Sequence, residues 1–177
     1  MTQTRPQTSD YAPNFAKYVS RVPDGDLLEI LENQRRDMLR LLEPLSDTDG
    51  DFRYAPDKWS IKEILGHLND TERVFAYRLL RIARGDQTPL PGFEQDDYVK
   101  AANSSARKLA SLLEEFDSIR SASAGLILSL DSASFLRRGT ASGKEISALA
   151  LTFLIAGHAL HHQAILEERY LPAMRIA

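Results

Sequence analysis

Three of the four histidines in this chain fall within five residues, in the run Gly157-His158-Ala159-Leu160-His161-His162. The fourth, His67, stands in Gly66-His67-Leu68-Asn69-Asp70. On a helix, His158 and His162 lie one turn apart on one face. Two imidazoles at that spacing can hold one divalent ion from one side, and a third from a facing helix completes a three-histidine set with one position open. Open three-ligand sites are usually catalytic, and closed four-ligand sites are usually structural. The competing reading is a set of hydrogen-bonded histidines in or beside a core. His158 and His162 share their face with Leu151, Ile155 and Ile165, so both need partners, because an unsatisfied buried polar group costs about 1–3 kcal/mol. One ion satisfies both. A His158–His161 pair is the alternative, and it leaves His162 unexplained. His67 sits on the shoulder of its apolar face, beside Ile64, Thr71 and Val74, where it either points between helices or marks a boundary.

Two carboxylates flank His67. Asp70, about one turn on, either orients His67 from behind or is a solvated helix carboxylate. Glu72 falls inside the apolar stripe between Leu68 and Phe75, as a base beside a metal or as the partner of a buried arginine. The segment Thr88 to Tyr98 reads equally as a lid over a pocket and as an ordinary connector.

The remaining composition narrows the chemistry. There are no cysteines among the 177 residues, so disulfides, thiolate metal sites and a protein thiol nucleophile are excluded. A net charge of −3 gives no support to nucleic-acid binding or to an anionic membrane surface. Met1 to Tyr11 is polar, without the apolar stretch of a signal peptide. The longest apolar run, Ile146 to Ala156, is too short to span a bilayer. The expectation is a cytoplasmic protein with a small-molecule substrate, no nucleic-acid or membrane partner, and a possible homodimer.

The histidines need helices to position them, and the apolar periodicity supplies four. Residues 1–22 read as an arm, frayed at its beginning, and residues 23–177 as one helical domain. The first helix runs from about Asp26 to Glu43, stopped by Pro44. Ser60 and Glu63 form a capping box opening the second, with Trp59 and Ile64 as its staple, and Gly85 closes it. A third covers about Ser105 to Leu130. Ser142 and Glu145 form another capping box, opening a fourth that ends near Tyr170. No strand-like alternation is visible. The predicted architecture is an all-α four-helix bundle with long crossover connections. The link from Glu43 to Trp59, extended at about 3.3 Å per residue, could run the length of a helix.

The stretch Lys58 to Arg73 (KWSIKEILGHLNDTER) closely resembles the DinB family of DinB/YfiT-like metalloenzymes. So do Arg81-Ile82-Ala83-Arg84-Gly85-Asp86, Pro89-Leu90-Pro91-Gly92-Phe93 and Ala156-Gly157-His158-Ala159-Leu160-His161-His162. These motifs agree in order and spacing over roughly Tyr18 to Leu171. The resemblance implies a four-helix bundle with a divalent metal (zinc or nickel first, iron next) on His67, His158 and His162. His161 matches the family's frequent doublet without being a ligand. Characterised relatives use low-molecular-weight thiols such as bacillithiol and mycothiol, so the resemblance also implies a metal-dependent thiol transferase, or a hydrolase in which water takes the place of the thiol. A non-catalytic metal-binding bundle and a stress-related interaction module acting through dimerisation stand beside these readings.

Overall fold

The structure is a computed structural model that describes residues 4–174. In chain order its helices are α1 (Ala16–Val19), α2 (Leu27–Leu42), α3 (Asp47–Gly50), α4 (Ile61–Ala83), α5 (Gln95–Ala102), α6 (Leu109–Leu128), α7 (Ser132–Leu136), α8 (Ala148–Ile165) and α9 (Leu171–Met174). A turn of π-helix, Leu166–Tyr170, joins the last two into one continuous rod. The long helices α2, α4, α6 and α8 form the bundle. Both α2 and α4 pack against α6 and against α8, so α2 and α4 stand at opposite corners, as do α6 and α8.

Two apolar clusters fix the directions. One unites the start of α2 (Leu27, Leu31) and of α8 (Leu151, Leu154) with the end of α4 (Phe75, Leu79) and of α6 (Ile127). The other unites the end of α2 (Met38, Leu42) with the start of α4 (Ile61, Leu65), the start of α6 (Leu112, Phe116) and the far half of α8 (Ala159, then Leu166). Helices α2 and α8 therefore run one way, and α4 and α6 the other. The crossover falls between α4 and α6. This link leaves one apolar cluster near Leu90 and reaches the opposite end where Ser104 meets Gly66. The Glu43–Trp59 link, expected to be able to cross, stays at one end: Lys62 is buried against it, 3.1 Å from Asp51 and 3.8 Å from Asp47.

The α4 start is as the sequence predicts. Glu63 N donates to Ser60 Oγ at 3.2 Å and Ser60 N donates to Glu63 Oε2 at 2.8 Å. The α8 start is not. Ser142 and Gly143, at φ 53° and 71°, form the turn of a hairpin between β1 (Arg138–Ala141) and β2 (Lys144–Ser147). A two-residue turn with both φ positive is the one whose twist matches paired strands, and it overrides the apparent capping box. The true cap is Ser147, whose Oγ accepts from Ala150 N at 3.0 Å. Likewise α6 begins at Leu109, not Ser105, because Asp47 of α3 reaches across to accept from Leu109 N at 2.7 Å.

The arm is packed down over the described part of its length. Arg5 donates to the carbonyls of Val19 and Val22 at 2.9 and 2.6 Å, and Tyr11, Val19 and Val22 join the core. The expected fraying at its beginning falls on residues 1–3, outside the described residues. Helices α8 and α9 with the π-turn, Ala148–Met174, are together long and apolar enough to cross a membrane by length and composition, with an 18-residue window at a mean hydropathy of 1.3. The shorter apolar run seen in the sequence is only part of that rod, and 67% of the 18-residue window is buried inside the bundle.

Between the two apolar clusters lies a buried polar layer. It contains Gln34 of α2, Asn69, Thr71 and Glu72 of α4, Arg120 and Ser123 of α6, and His158 of α8. The candidate chemistry sits in this layer and beside it.

Candidate metal centre

His67 enters from α4, and His158 and His162 from the facing side of α8. One ring nitrogen from each of the three lies within 4.8 Å of the others, and all three residues are buried. His67 Nε2 and His158 Nε2 are 3.1 Å apart. Two nitrogens on one tetrahedral ion at 2.0–2.1 Å stand about 3.4 Å apart, so the spacing fits a shared ion to within a few tenths of an ångström. Among the described residues His162 Nδ1 is buried without a hydrogen-bond partner, as is Nδ1 of the neighbouring His161; within the triad this is a second sign of a missing partner. His161 stands outside the group, half-buried, with its ring edge-to-face against Tyr18 at 5.3 Å.

Burial pushes the His67 pKa from 6.5 down to about 4, opposed in part by the Asp96 carboxylate. His158 and His162 are held well below the ordinary value, first by burial and then by neighbouring histidines. All three are therefore neutral at pH 7, the form in which imidazole coordinates a metal.

Two glycines let other segments close over the centre. A Cβ on Gly66, the residue before His67, would collide with the Ser104 hydroxyl of the crossover. A Cβ on Gly157, the residue before His158, would collide with the backbone carbonyl of Tyr18. Tyr18 then packs edge-to-face on His158 at 5.3 Å. Trp59 covers His67 at 4.8 Å, and its carbonyl accepts from Tyr170 Oη at 2.6 Å.

The two carboxylates singled out in the sequence are not at the centre. Asp70 faces Arg73 at 3.7 Å, and burial pushes its pKa up. The group facing His67 is Thr71, whose Oγ1 is 3.4 Å from His67 Nδ1. At i+4 Thr71 stands more nearly in line with His67 than Asp70 does at i+3. A proton on Nδ1 shared with that hydroxyl leaves Nε2 free to coordinate. Glu72 is instead the partner of a buried arginine: its Oε2 is 2.8 Å from Arg120 Nη2. Arg120 Nη1 donates to Gln34 Oε1 at 2.9 Å, and Gln34 Nε2 donates to the Ala156 carbonyl at 3.0 Å. That chain ties all four bundle helices together and removes Glu72 as a free base.

Two pockets reach the histidines. One, of about 410 Å³, is lined by His67, His158, Thr71, Lys17, Arg78 and Asp96 among others. The other, of about 250 Å³, reaches His162 past Trp59, Tyr170 and Asp96. Asp96 borders both. It lies in the Thr88–Tyr98 segment, which packs along α4 over the histidine site, partly as helix α5. The sequence marks that segment but not the residue, since Glu94, Asp96 and Asp97 are indistinguishable until the helix gives each a direction.

No curated protein matches this chain. Among solved structures the fold is similar to that of YfiT from Bacillus subtilis, at a TM-score of 0.76 and 16% identity, over 97% of this chain and 94% of that one. YfiT is described as a probable metal-dependent hydrolase with an unusual four-helix bundle topology. The model of the DinB superfamily matches residues 30–166, and with most of its length inside that match the chain belongs to the DinB superfamily.

Proposed function

We propose that this protein is a metal-dependent hydrolase of a small molecule, with a divalent ion held by His67, His158 and His162. The observation that carries this reading is the convergence of three buried, neutral imidazoles that two pockets still reach. The likeness to YfiT, itself described as a probable metal-dependent hydrolase, points the same way. When bound, a divalent ion with an open position polarises a carbonyl or phosphoryl oxygen and lowers the pKa of water to about 7.

The chain's own residues supply the rest. Thr71 holds the His67 ring and its Nδ1 proton, so that Nε2 keeps its orientation. Trp59 and Tyr18 pack on the histidine rings and keep bulk water from them. Asp96 is the carboxylate that lines both approaches, and in this reading it accepts the proton that an attacking water must lose. The histidines cannot take it, because as ligands their lone pairs are occupied. Imidazole suits zinc, nickel and iron alike, so the donor set does not choose among them.

The test is a panel of small esters, amides and phosphoesters, offered to protein freed of metal and then reloaded with zinc, nickel or iron. Hydrolysis should appear on reloading, disappear with a chelator, and be lost in His162→Ala while circular dichroism stays unchanged. Hydrolysis indifferent to the chelator would refute the reading. Turnover that requires an added low-molecular-weight thiol would move the assignment to a thiol transferase. Unfolding on metal removal would make the ion structural.

A further inference from the structure

The larger pocket has a second functional pole, away from the histidines. His67, Thr71, Phe75 and Arg78 of α4 all line it. At i, i+4, i+8 and i+11 they share one helix face, with about 16 Å of rise between the Cα atoms of His67 and Arg78. The Cα–Cβ bond of Arg78, like every one on a helix, tilts toward the helix N-terminus, and so toward His67.

Arg78 is only 4% exposed, yet among the described residues no carboxylate pairs with it. One nitrogen, Nη2, is committed to structure. It donates to the Pro91 carbonyl at 2.7 Å and to the Ser142 hydroxyl at 3.0 Å, and so ties the crossover and the hairpin turn to α4. The Phe93 ring lies 5.9 Å from the guanidinium carbon. The donors on Nε and Nη1 meet no acceptor among the described residues. Glu94 and Asp96 line the same pocket without forming an ion pair with it. A buried cation normally has a partner, and a guanidinium whose Nε and Nη1 donors, on its two edges, are both unmet in a small-molecule pocket is a site for an anion held by a charge-assisted hydrogen bond.

We propose that Arg78 is the anion-recognition residue of this pocket, and that the substrate is a small carboxylate whose charged end docks on Arg78 through a charge-assisted hydrogen bond from Nε or Nη1 while its reacting group lies at the histidine centre. The second half of this proposal rests on the hydrolase reading above; the first half does not. The hairpin then has a role in binding. It brings Ser142 to hold the guanidinium by one nitrogen, leaving the others turned to the ligand.

The test uses the full-length protein in metal-free and metal-loaded forms. Binding of linear three- to eight-carbon monocarboxylates and of their carboxamides is followed by ligand-observed NMR. Carboxylates should bind both forms and carboxamides neither. Arg78→Met should weaken carboxylate binding at least about ten-fold, as expected for loss of charge-assisted hydrogen bonds. Arg78→Gln, which removes the charge but keeps a hydrogen-bond donor, should lose most of that affinity too, with metal content as in the wild type. If Arg78→Met does not fold, Arg78→Gln decides. Carboxylate binding only to the metal-loaded form and unchanged in Arg78→Gln would overturn the proposal, as would equal binding of carboxamides or no carboxylate binding at all. Arg78-dependent binding to a protein that takes up no metal would refute the hydrolase reading and leave the anion site standing.

Discussion

The Glu72 carboxylate and the Arg120 guanidinium meet at 2.8 Å, with their side chains only 6% and 1% exposed. They join α4 to α6, and through Gln34 and the Ala156 carbonyl they reach α2 and α8 as well. This chain of contacts crosses the bundle where its two apolar clusters part, and it holds in register the two helices that carry the histidines. Removing one partner strands the other charge without water, a loss of about 3–5 kcal/mol for a buried pair. Glu72→Ala should therefore lower the denaturation free energy by that amount. Glu72→Leu with Arg120→Met, which removes both charges, should recover much of it. A single variant as stable as the wild type would show that the pair is not buried as described.

Metal-free protein should weaken in acid. The His67 pKa is pushed from 6.5 down to about 4, and His158 and His162 lie well below 6.5. The unfolded chain binds these protons first, so stability is full above about pH 6.5 and falls as the pH drops toward 4. For His67 alone the loss by pH 4 is about 3 kcal/mol. Urea midpoints measured between pH 8 and 4 should show the decline setting in below 6.5. His67→Gln should make it shallower, leaving the share of His158 and His162. A decline of the same size in that variant would place the titrating group elsewhere.

Gly157 should be intolerant of even one methyl group. A Cβ there would meet the Tyr18 backbone, which cannot rotate aside as a side chain can. Gly157→Ala should lift α1 from α8 at a cost of about 1–3 kcal/mol, typical of overpacking. Hydrogen exchange should quicken in residues 16–22 and stay slow in the middle of α4. Unchanged exchange in the arm would contradict the close approach.

What could be read from the chain in advance depended on whether its physics was local. The Ser60–Glu63 box and the i, i+4 pair of His158 and His162 are local, and the structure reproduces both. The same pattern at Ser142 and Glu145 misleads, because Ser142-Gly143 prefers a hairpin turn once Leu90 and the crossover supply a strand-like neighbour. Long-range features were beyond reach. The cap on α6 comes from Asp47, far back in the chain. The group beside His67 is Thr71 and not Asp70, neighbours about 100° apart around one helix. For Glu72, both a free base and the partner of a buried arginine were consistent with its place in the apolar stripe, and only the position of Arg120 decided between them. Asp96 and Arg78 gained meaning from the crossover folding back over α4, which no local pattern announces.

Metal content of the untagged protein and its four single histidine variants tests the central claim most directly. By elemental analysis, wild-type protein reloaded with a divalent ion and freed of excess should carry about one ion per chain, the number one three-histidine site can hold. His67→Ala, His158→Ala and His162→Ala should each lose it, and His161→Ala should keep it. Retention in His67→Ala, or loss in His161→Ala equal to that in His158→Ala, would contradict a centre built from His67, His158 and His162.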